Sequence, residues 1–216
     1  MNLLIPLETT SRELLYKTYL CNLLALKGFN CYLGNKFYIN FLVKQMKSYI
    51  YLDKGYHKEV SENLYKKIKN NKGLIINLDE EGAVDYSDNS TLLGRYSEKM
   101  FAESDCVFLW GRYQYNLIKK QILDETSVFL TGHPRFDLLK KKYSFIYDDE
   151  VKKIKTKYND FLLMNTNMGF GNNVKGDEFV KKNYGNRFSR INRMIAFDKK
   201  KRDIFTSLAI KLSFEK

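Results

Sequence analysis

Ser127-Val128-Phe129-Leu130-Thr131-Gly132-His133-Pro134-Arg135-Phe136-Asp137 is the stretch that decides the fold. Its first four residues are β-prone and read as a buried parallel strand. Gly132 permits a sharp turn, and Pro134 suits the first position of a following helix. His133, one of two histidines in the chain, stands between them with a cation and a carboxylate just beyond. In open α/β sheets, ligands bind at the carboxyl ends of strands. A plainer reading is a capped turn in which Arg135 pairs with Asp137 or Asp124.

Upstream, the same strand-to-helix step recurs. Asn2 to Leu7 is a first strand, and Thr10-Ser11-Arg12-Glu13 fits a capping box with Thr10 as N-cap. Leu14, Leu15, Tyr19, Leu23 and Leu26 follow at helical spacing, and Gly28 suits the C′ position. Strands are predicted at Phe29 to Leu33, Ser48 to Leu52, Gly73 to Leu78 and Cys106 to Trp110. Helices are predicted at Phe37 to Met46, Val60 to Asn70, Arg95 to Glu103 and Tyr113 to Ile122, with Asn35 as a cap. Regular alternation with short connections predicts an α/β fold with a doubly wound, parallel, Rossmann-like sheet.

Beyond Asp137 the pattern loosens. A lysine cluster at Lys140 to Lys142 precedes a helix at Asp148 to Tyr158 and a seventh strand at Phe161 to Met164. Gly169 to Gly176 reads as loop. A last helix is predicted from Asp198 as N-cap to Leu212, with Ile204, Phe205, Leu208, Ala209 and Leu212 on one face. The expected organisation is a complete domain over residues 1–140 and the incomplete start of a second α/β domain over 141–216.

Composition bounds the function. The chain is 44% hydrophobic with 16 Tyr and 15 Phe, enough for a packed core. No run approaches the roughly 18 apolar residues of a membrane span. The N-terminus lacks the basic region and cleavage pattern of a signal peptide, so a cytoplasmic location is expected. Cys21, Cys31 and Cys106 read as buried, reduced thiols, and with two scattered histidines no metal site is expected. Residues 175–216 carry 12 Lys+Arg against 5 Asp+Glu, within a chain of net charge +12. Such a balance suits anionic lipid or nucleotide phosphate, and a genome rich in Lys, Asn, Ile and Tyr codons also produces it. No nucleic-acid partner is expected, because the basic residues lack a reading motif.

Three polar clusters fall at predicted strand ends: Glu8 to Glu13, Asp79-Glu80-Glu81, and His133 to Asp137. On one edge of a parallel sheet they would share a cleft. Three adjacent carboxylates repel if all are buried, which raises at least one pKa into the range of a general acid or base. The plainer reading is a solvated acidic turn. Arg12 and Lys54 read as anion clamps or as surface cations. No dinucleotide fingerprint, P-loop or nucleophile elbow is present.

In order, Pro6-Leu7-Glu8, Arg12-Glu13-Leu14, Gly28, Leu33-Gly34, Tyr51-Leu52-Asp53-Lys54, Leu78-Asp79-Glu80-Glu81-Gly82, Phe108-Leu109-Trp110-Gly111, Thr131 to Asp137 and Asn165-Thr166-Asn167 resemble the bacterial surface carbohydrate (surface polysaccharide) biosynthesis proteins. Gly-x-Pro-Arg-x-Asp after a strand also looks like the teichoic-acid glycerophosphotransferases. The resemblance implies a GT-B glycosyltransferase-like architecture, with an acceptor-side N-terminal domain and a donor-side C-terminal domain. It implies transfer from a nucleotide sugar to a glycan or lipid-linked acceptor, with no cofactor and no bound metal. Asp79, Glu80 or Glu81 would be the catalytic base. Glu8, Arg12 and Glu13 would line the acceptor cleft, and His133, Arg135 and Asp137 would contact the donor.

The family's Arg-Pro-His-Pro type motif is missing, since the chain's two prolines are Pro6 and Pro134. The expectation is therefore a truncated transferase that needs a partner chain for the donor half. The rival expectation is a non-catalytic remnant or binding subunit. Its basic tail, including Lys199 to Arg202, would dock on a partner or on the inner face of the plasma membrane.

Overall fold

The computed structural model describes residues 1–81, 88–161, 163 and 168–214. Six strands, β1 (Asn2–Leu7), β2 (Asn30–Asn35), β3 (Tyr49–Asp53), β4 (Leu74–Leu78), β5 (Cys106–Leu109) and β6 (Ser127–Leu130), form one sheet in the order β2-β1-β3-β4-β5-β6. Every pairing is parallel. The chain is thus α/β and Rossmann-like. Its strand order reverses between β1 and β3, so β1 and β3 flank the switch point where such sheets bind ligands.

The helices are α1 (Thr10–Ala25), α2 (Lys36–Gln45), α3 (Val60–Asn70), α4 (Ser90–Arg95), α5 (Glu98–Glu103), α6 (Arg112–Ile118), α7 (Pro134–Asp137), α8 (Asp148–Tyr158), α9 (Gly176–Tyr184) and α10 (Ile191–Phe214). Two compact units divide inside α8, Met1–Val151 and Lys152–Lys216. In the first, one sheet face carries the main core. Tyr51, Tyr65, Ile68, Ile75, Phe101 and Val107 are wholly buried there with residues of α2, α3 and α6. Each such side chain contributes about 1.5–3 kcal/mol of burial. The other face, built on Leu3, Ile5, Leu52 and Leu78, packs against Leu20, Cys21 and Leu24 of α1.

Several sequence expectations need correction. The leucines of α1 do not form its buried side. Leu14, Leu15, Leu23 and Leu26 are exposed, whereas Glu13, Tyr16 and Lys17 are buried. The inward stripe is Glu13, Tyr16, Lys17, Leu20, Cys21 and Leu24, because the helix begins over the carboxyl edge of the sheet and presents polar groups there. The N-cap is Thr9 rather than Thr10, and its side chain makes no capping bond. The Glu13 carboxylate instead accepts from the backbone N–H of Glu8 and of Thr9, each at 3.1 Å. Gly34 lies within β2 rather than closing it.

The single helix expected over Arg95 to Glu103 is two, since Ser97 accepts from the N–H of Met100 and starts α5 afresh. The helix expected to Ile122 ends at Ile118 and continues as a 3₁₀ turn, Lys119–Gln121. β6 is an edge strand rather than a buried one, which leaves Phe129 51% and Leu130 47% exposed.

In the second unit, Val180, Ile191 and Ile195 are buried together against Phe170, Phe179, Tyr184 and Phe188. Helix α9 has no counterpart in the sequence expectation. Asp198 is not an N-cap. It lies inside α10, which starts at Ile191, and accepts from the N–H of Phe170 (3.0 Å) and Gly171 (3.2 Å). Ile204, Phe205, Leu208 and Leu212 are exposed along α10. Leu162 and Met164 of the expected seventh strand, with Asn165-Thr166-Asn167 and Gly82, lie outside the described residues. No helix among the described residues is long and apolar enough to cross a membrane.

Candidate functional site

The site is built where the strands end. The β1 end supplies Glu8 and, on α1, Arg12, Glu13, Tyr16 and Lys17. The β3 end supplies Lys54, the β4 end Asp79 and Glu80, the β5 end Trp110, and the β6 end His133 and Arg135. Two of these ends are tied through the backbone, because the Glu80 N–H donates to the Lys54 carbonyl at 2.9 Å. Thr131 and Gly132 both donate to the Leu109 carbonyl, at 3.1 Å each. Gly132 takes φ +76°, a left-handed turn that points the chain into His133.

Glu80 is the hub. Its carboxylate is 2% exposed and accepts a hydrogen bond from the Tyr16 hydroxyl. Lys17 Nζ lies 3.2 Å from Oε1, while His133 Nε2 at 3.4 Å and Arg135 Nη1 at 3.8 Å face Oε2. Burial alone would raise its pKa. The His133 hydrogen, the Lys17 charge and the Tyr16 hydroxyl together outweigh burial and hold it down at about 2.

Lys17 is 1% exposed and also donates to Glu13 Oε2 and to the Pro6 carbonyl, each at 2.9 Å. Glu13 in turn lies 3.3 Å from Arg12 and 3.9 Å from Lys54. Lys54 pairs with Glu8 across the switch point. Burial lowers the Lys54 pKa against the pull of Glu80, Glu81 and Asp79. Three carboxylates, Glu8, Glu13 and Glu80, and four cations, Arg12, Lys17, Lys54 and Arg135, are therefore joined in one network.

His133 is the N-cap of α7. Its Nδ1 accepts from the Arg135 N–H at 3.2 Å, which leaves the ring proton on Nε2, toward Glu80. The ring packs edge-on against Tyr16 and tilted over Trp110, with centroids 5.1 and 4.9 Å away. The Arg135 guanidinium lies over Phe136 and Trp110 at 5.2 and 5.8 Å and is a quarter exposed, more than the Lys17 and His133 side chains that also face Glu80. The expectation that Arg135 pairs with Asp137 or Asp124 is thus replaced by Glu80. Asp137 instead pairs with Lys140 at 2.5 Å.

Asp79 faces a different neighbourhood from Glu80. Arg95 Nε donates to its Oδ2 at 2.8 Å, and the Glu81 N–H donates to Oδ1 at 3.1 Å. Trp110 Nε1 donates to its carbonyl at 2.9 Å. Gly55, at φ +141°, brings backbone so close that a Cβ would sit 3.0 Å from Oδ1. Burial raises Asp79 from its ordinary 3.8 to about 6 despite Arg95. Mutual repulsion in the acidic triplet, the cause anticipated from sequence, is minor beside burial. Glu81 is exposed, and its carbonyl accepts from Arg95 at 2.9 Å.

The two carboxylates titrate in opposite senses, and stability against pH should show both. Asp79 holds its proton more tightly when folded, so its contribution is full below about pH 3.8 and is lost as pH rises through about 6. Glu80 holds its proton less tightly, so its contribution is full above pH 4.5 and is lost as pH falls toward about 2. Urea midpoints measured from pH 3 to 7 should decline on both sides of about pH 4–5. Asp79→Asn should flatten the upper limb and Glu80→Gln the lower one. Limbs unchanged in both variants would refute the assignment.

The structure thus brings Glu8, Arg12, Glu13, Glu80, His133 and Arg135 into one network. Asp79 and Glu81 adjoin it, and Asp137 makes its pair elsewhere. Sequence reasoning missed Tyr16, Lys17, Arg95 and Trp110. The Glu13–Lys17 spacing of four on a helix was the available signal. Among the described residues, no group of three or more His, Cys, Asp or Glu side chains is arranged to hold a metal ion. No protein-family model, curated protein or solved structure matches this chain.

Proposed function

We propose that this chain acts in surface polysaccharide assembly as a GT-B-like glycosyltransferase component, in which the first unit holds the acceptor of a sugar carried by a nucleotide. The observation that carries this reading is the Asp79 carboxyl raised to about 6 and the stacked, part-exposed Arg135, both joined to Trp110 at the carboxyl edge of a doubly wound sheet. A base poised near neutrality and a cation near the leaving group are what glycosyl transfer without a redox step requires.

Asp79 takes the proton of an acceptor hydroxyl. The oxygen then attacks the anomeric carbon of the donor, and the carbon–oxygen bond to the nucleotide phosphate breaks with its electron pair leaving on the phosphate. Arg135 meets that charge. His133 and Glu80 hold the Arg135 turn in place, and Glu8, Arg12 and Lys54 line the acceptor side. Glu80, held at about 2, is too weak a base for this proton. Arg135 supplies the phosphate contact, and the rest of the donor half, in this reading, comes from a partner chain.

The test is calorimetry of the purified chain against CMP, CDP, UDP and GDP. It is paired with transfer of radiolabelled sugar into lipid-extractable product in the presence of membrane extract. One nucleotide should bind in the micromolar range, and Arg135→Ala should weaken it about tenfold or more. No binding to any of the four, together with no label transfer, would overturn the proposal. A second reading, a non-catalytic subunit that docks through its basic segment, is favoured by the cations exposed along α10.

A further inference from the structure

Helix α10 carries an outward stripe that the small core of its own unit does not explain. Arg193, Phe197, Lys200, Ile204, Leu208 and Lys211 follow one another at spacings of four, three, four, four and three. That rhythm keeps all six on one side of an α-helix. All six are exposed, with Phe197 at 61%, Ile204 at 49% and Leu208 at 50%. The opposite side is the one that packs, through Ile191, Ile195 and Asp198. Three basic and three apolar groups therefore share a single exposed face about 27 Å long from Arg193 to Lys211, at roughly 1.5 Å per residue.

The charge on this face is one-signed. Of the acidic residues of α10, Asp198 is turned inward to the Phe170 and Gly171 N–H groups, and Asp203 is paired with Arg202 at 2.7 Å. No carboxylate among the described residues pairs with Arg193, Lys200 or Lys211. Arg190 adds a further exposed cation at the start of the same stripe. The Lys201 ammonium sits 5.6 Å from the Phe197 ring centre, beside the stripe's first apolar anchor.

We propose that this face of α10 is an interfacial anchor that lies flat on an anionic lipid surface. The apolar side chains enter the headgroup–acyl boundary, and the cations reach sideways along their aliphatic stems to lipid phosphates. Charge complementarity and the shared face select this occupant. A partner helix wants a continuous apolar seam with charges at its margins, whereas here Lys200 stands in the seam between Phe197 and Ile204, with Arg193 and Lys211 at its two ends. The anchor rests on the second unit alone and stands independently of the transferase reading.

The test is co-sedimentation of the full chain with sonicated vesicles, either phosphatidylcholine alone or with 30 mol% phosphatidylglycerol (~30%, enough for a strong surface charge). The chain should bind the anionic vesicles, should not bind phosphatidylcholine alone, and should release in high salt as screening sets in. The triple variant Arg193→Gln, Lys200→Gln, Lys211→Gln should weaken partitioning by about 100-fold, at about fivefold per cation. Phe197→Ser, Ile204→Ser, Leu208→Ser should weaken it comparably, with helix content unchanged by circular dichroism.

Absence of vesicle binding by the wild-type chain would overturn the proposal. Loss of binding in the charge variant alone would mark a general polyanion contact, and it too would overturn it. Concentration-dependent self-association abolished by the serine variant, without vesicle binding, would assign the stripe to a second copy instead.

Discussion

Asp79→Asn should lower sugar transfer by about 100-fold or more, the usual loss when a general base is removed. The substitution keeps the shape and one acceptor oxygen, which can serve the Glu81 N–H, while Arg95 keeps the Glu81 carbonyl. What disappears is the group that burial holds at about 6. The wild-type kcat/KM should therefore rise through about pH 6 to a plateau, and the Asp79→Asn variant should lose that limb. Glu80→Gln is the informative contrast. Glu80 is already held at about 2 by the groups around it, so its removal should not shift the limb near pH 6. A limb that survives Asp79→Asn would remove Asp79 from the role of base.

Glu13→Ala should destabilise the first unit by about 3–5 kcal/mol, the cost of breaking a buried ion pair from one side. Glu13 has no exposed surface, and Lys17 beside it is 1% exposed. Alanine would remove the acceptor for two backbone N–H groups at the start of α1 and strip Lys17 of its nearest carboxylate. Glu80 at 3.2 Å would then carry the lysine almost alone.

The chain's single tryptophan, Trp110, packs on His133 inside this unit and makes urea unfolding readable by fluorescence. Glu13→Gln with Lys17→Met should recover much of the loss, since an uncharged pair leaves no buried charge unpaired. Arg12→Gln, at a third-exposed side chain, should cost less than about 1 kcal/mol. A Glu13→Ala loss below about 1 kcal/mol would mean that Lys17 is served by Glu80 and the Pro6 carbonyl alone.

The same network shows how far a linear reading reaches. Helix α3 runs over Val60–Asn70 and β6 over Ser127–Leu130, the bounds their residues announce, because caps, glycines and β-branched runs act locally. Asn35 caps α2 as expected, its side-chain Oδ1 accepting from the Phe37 N–H at 2.8 Å. Local signals misled where a side chain found a distant partner. Asp198 has the chemistry of an N-cap, yet the Phe170 and Gly171 N–H groups, 28 and 27 residues away, recruited it into the middle of α10. The leucine rhythm of α1 implied a greasy inner face. The sheet edge beneath that helix is lined by carboxylates and cations, and so the inner face became Glu13, Tyr16 and Lys17.

By itself, the sequence determined the alternation of strands and helices, the parallel α/β class, and the three polar clusters placed after strands. Those depend on period, turn chemistry and capping, which neighbouring residues settle among themselves. Tertiary structure alone decided the order β2-β1-β3-β4-β5-β6, the exposure of β6 at the edge, and the pairing of Lys54 with Glu8 across the switch point. It also separated Asp79 from Glu80. These adjacent carboxylates point to opposite faces of the chain, and there burial governs one while Tyr16, Lys17 and His133 govern the other. A pKa depends on what surrounds a group in space, and no ordering of residues along a chain carries that information.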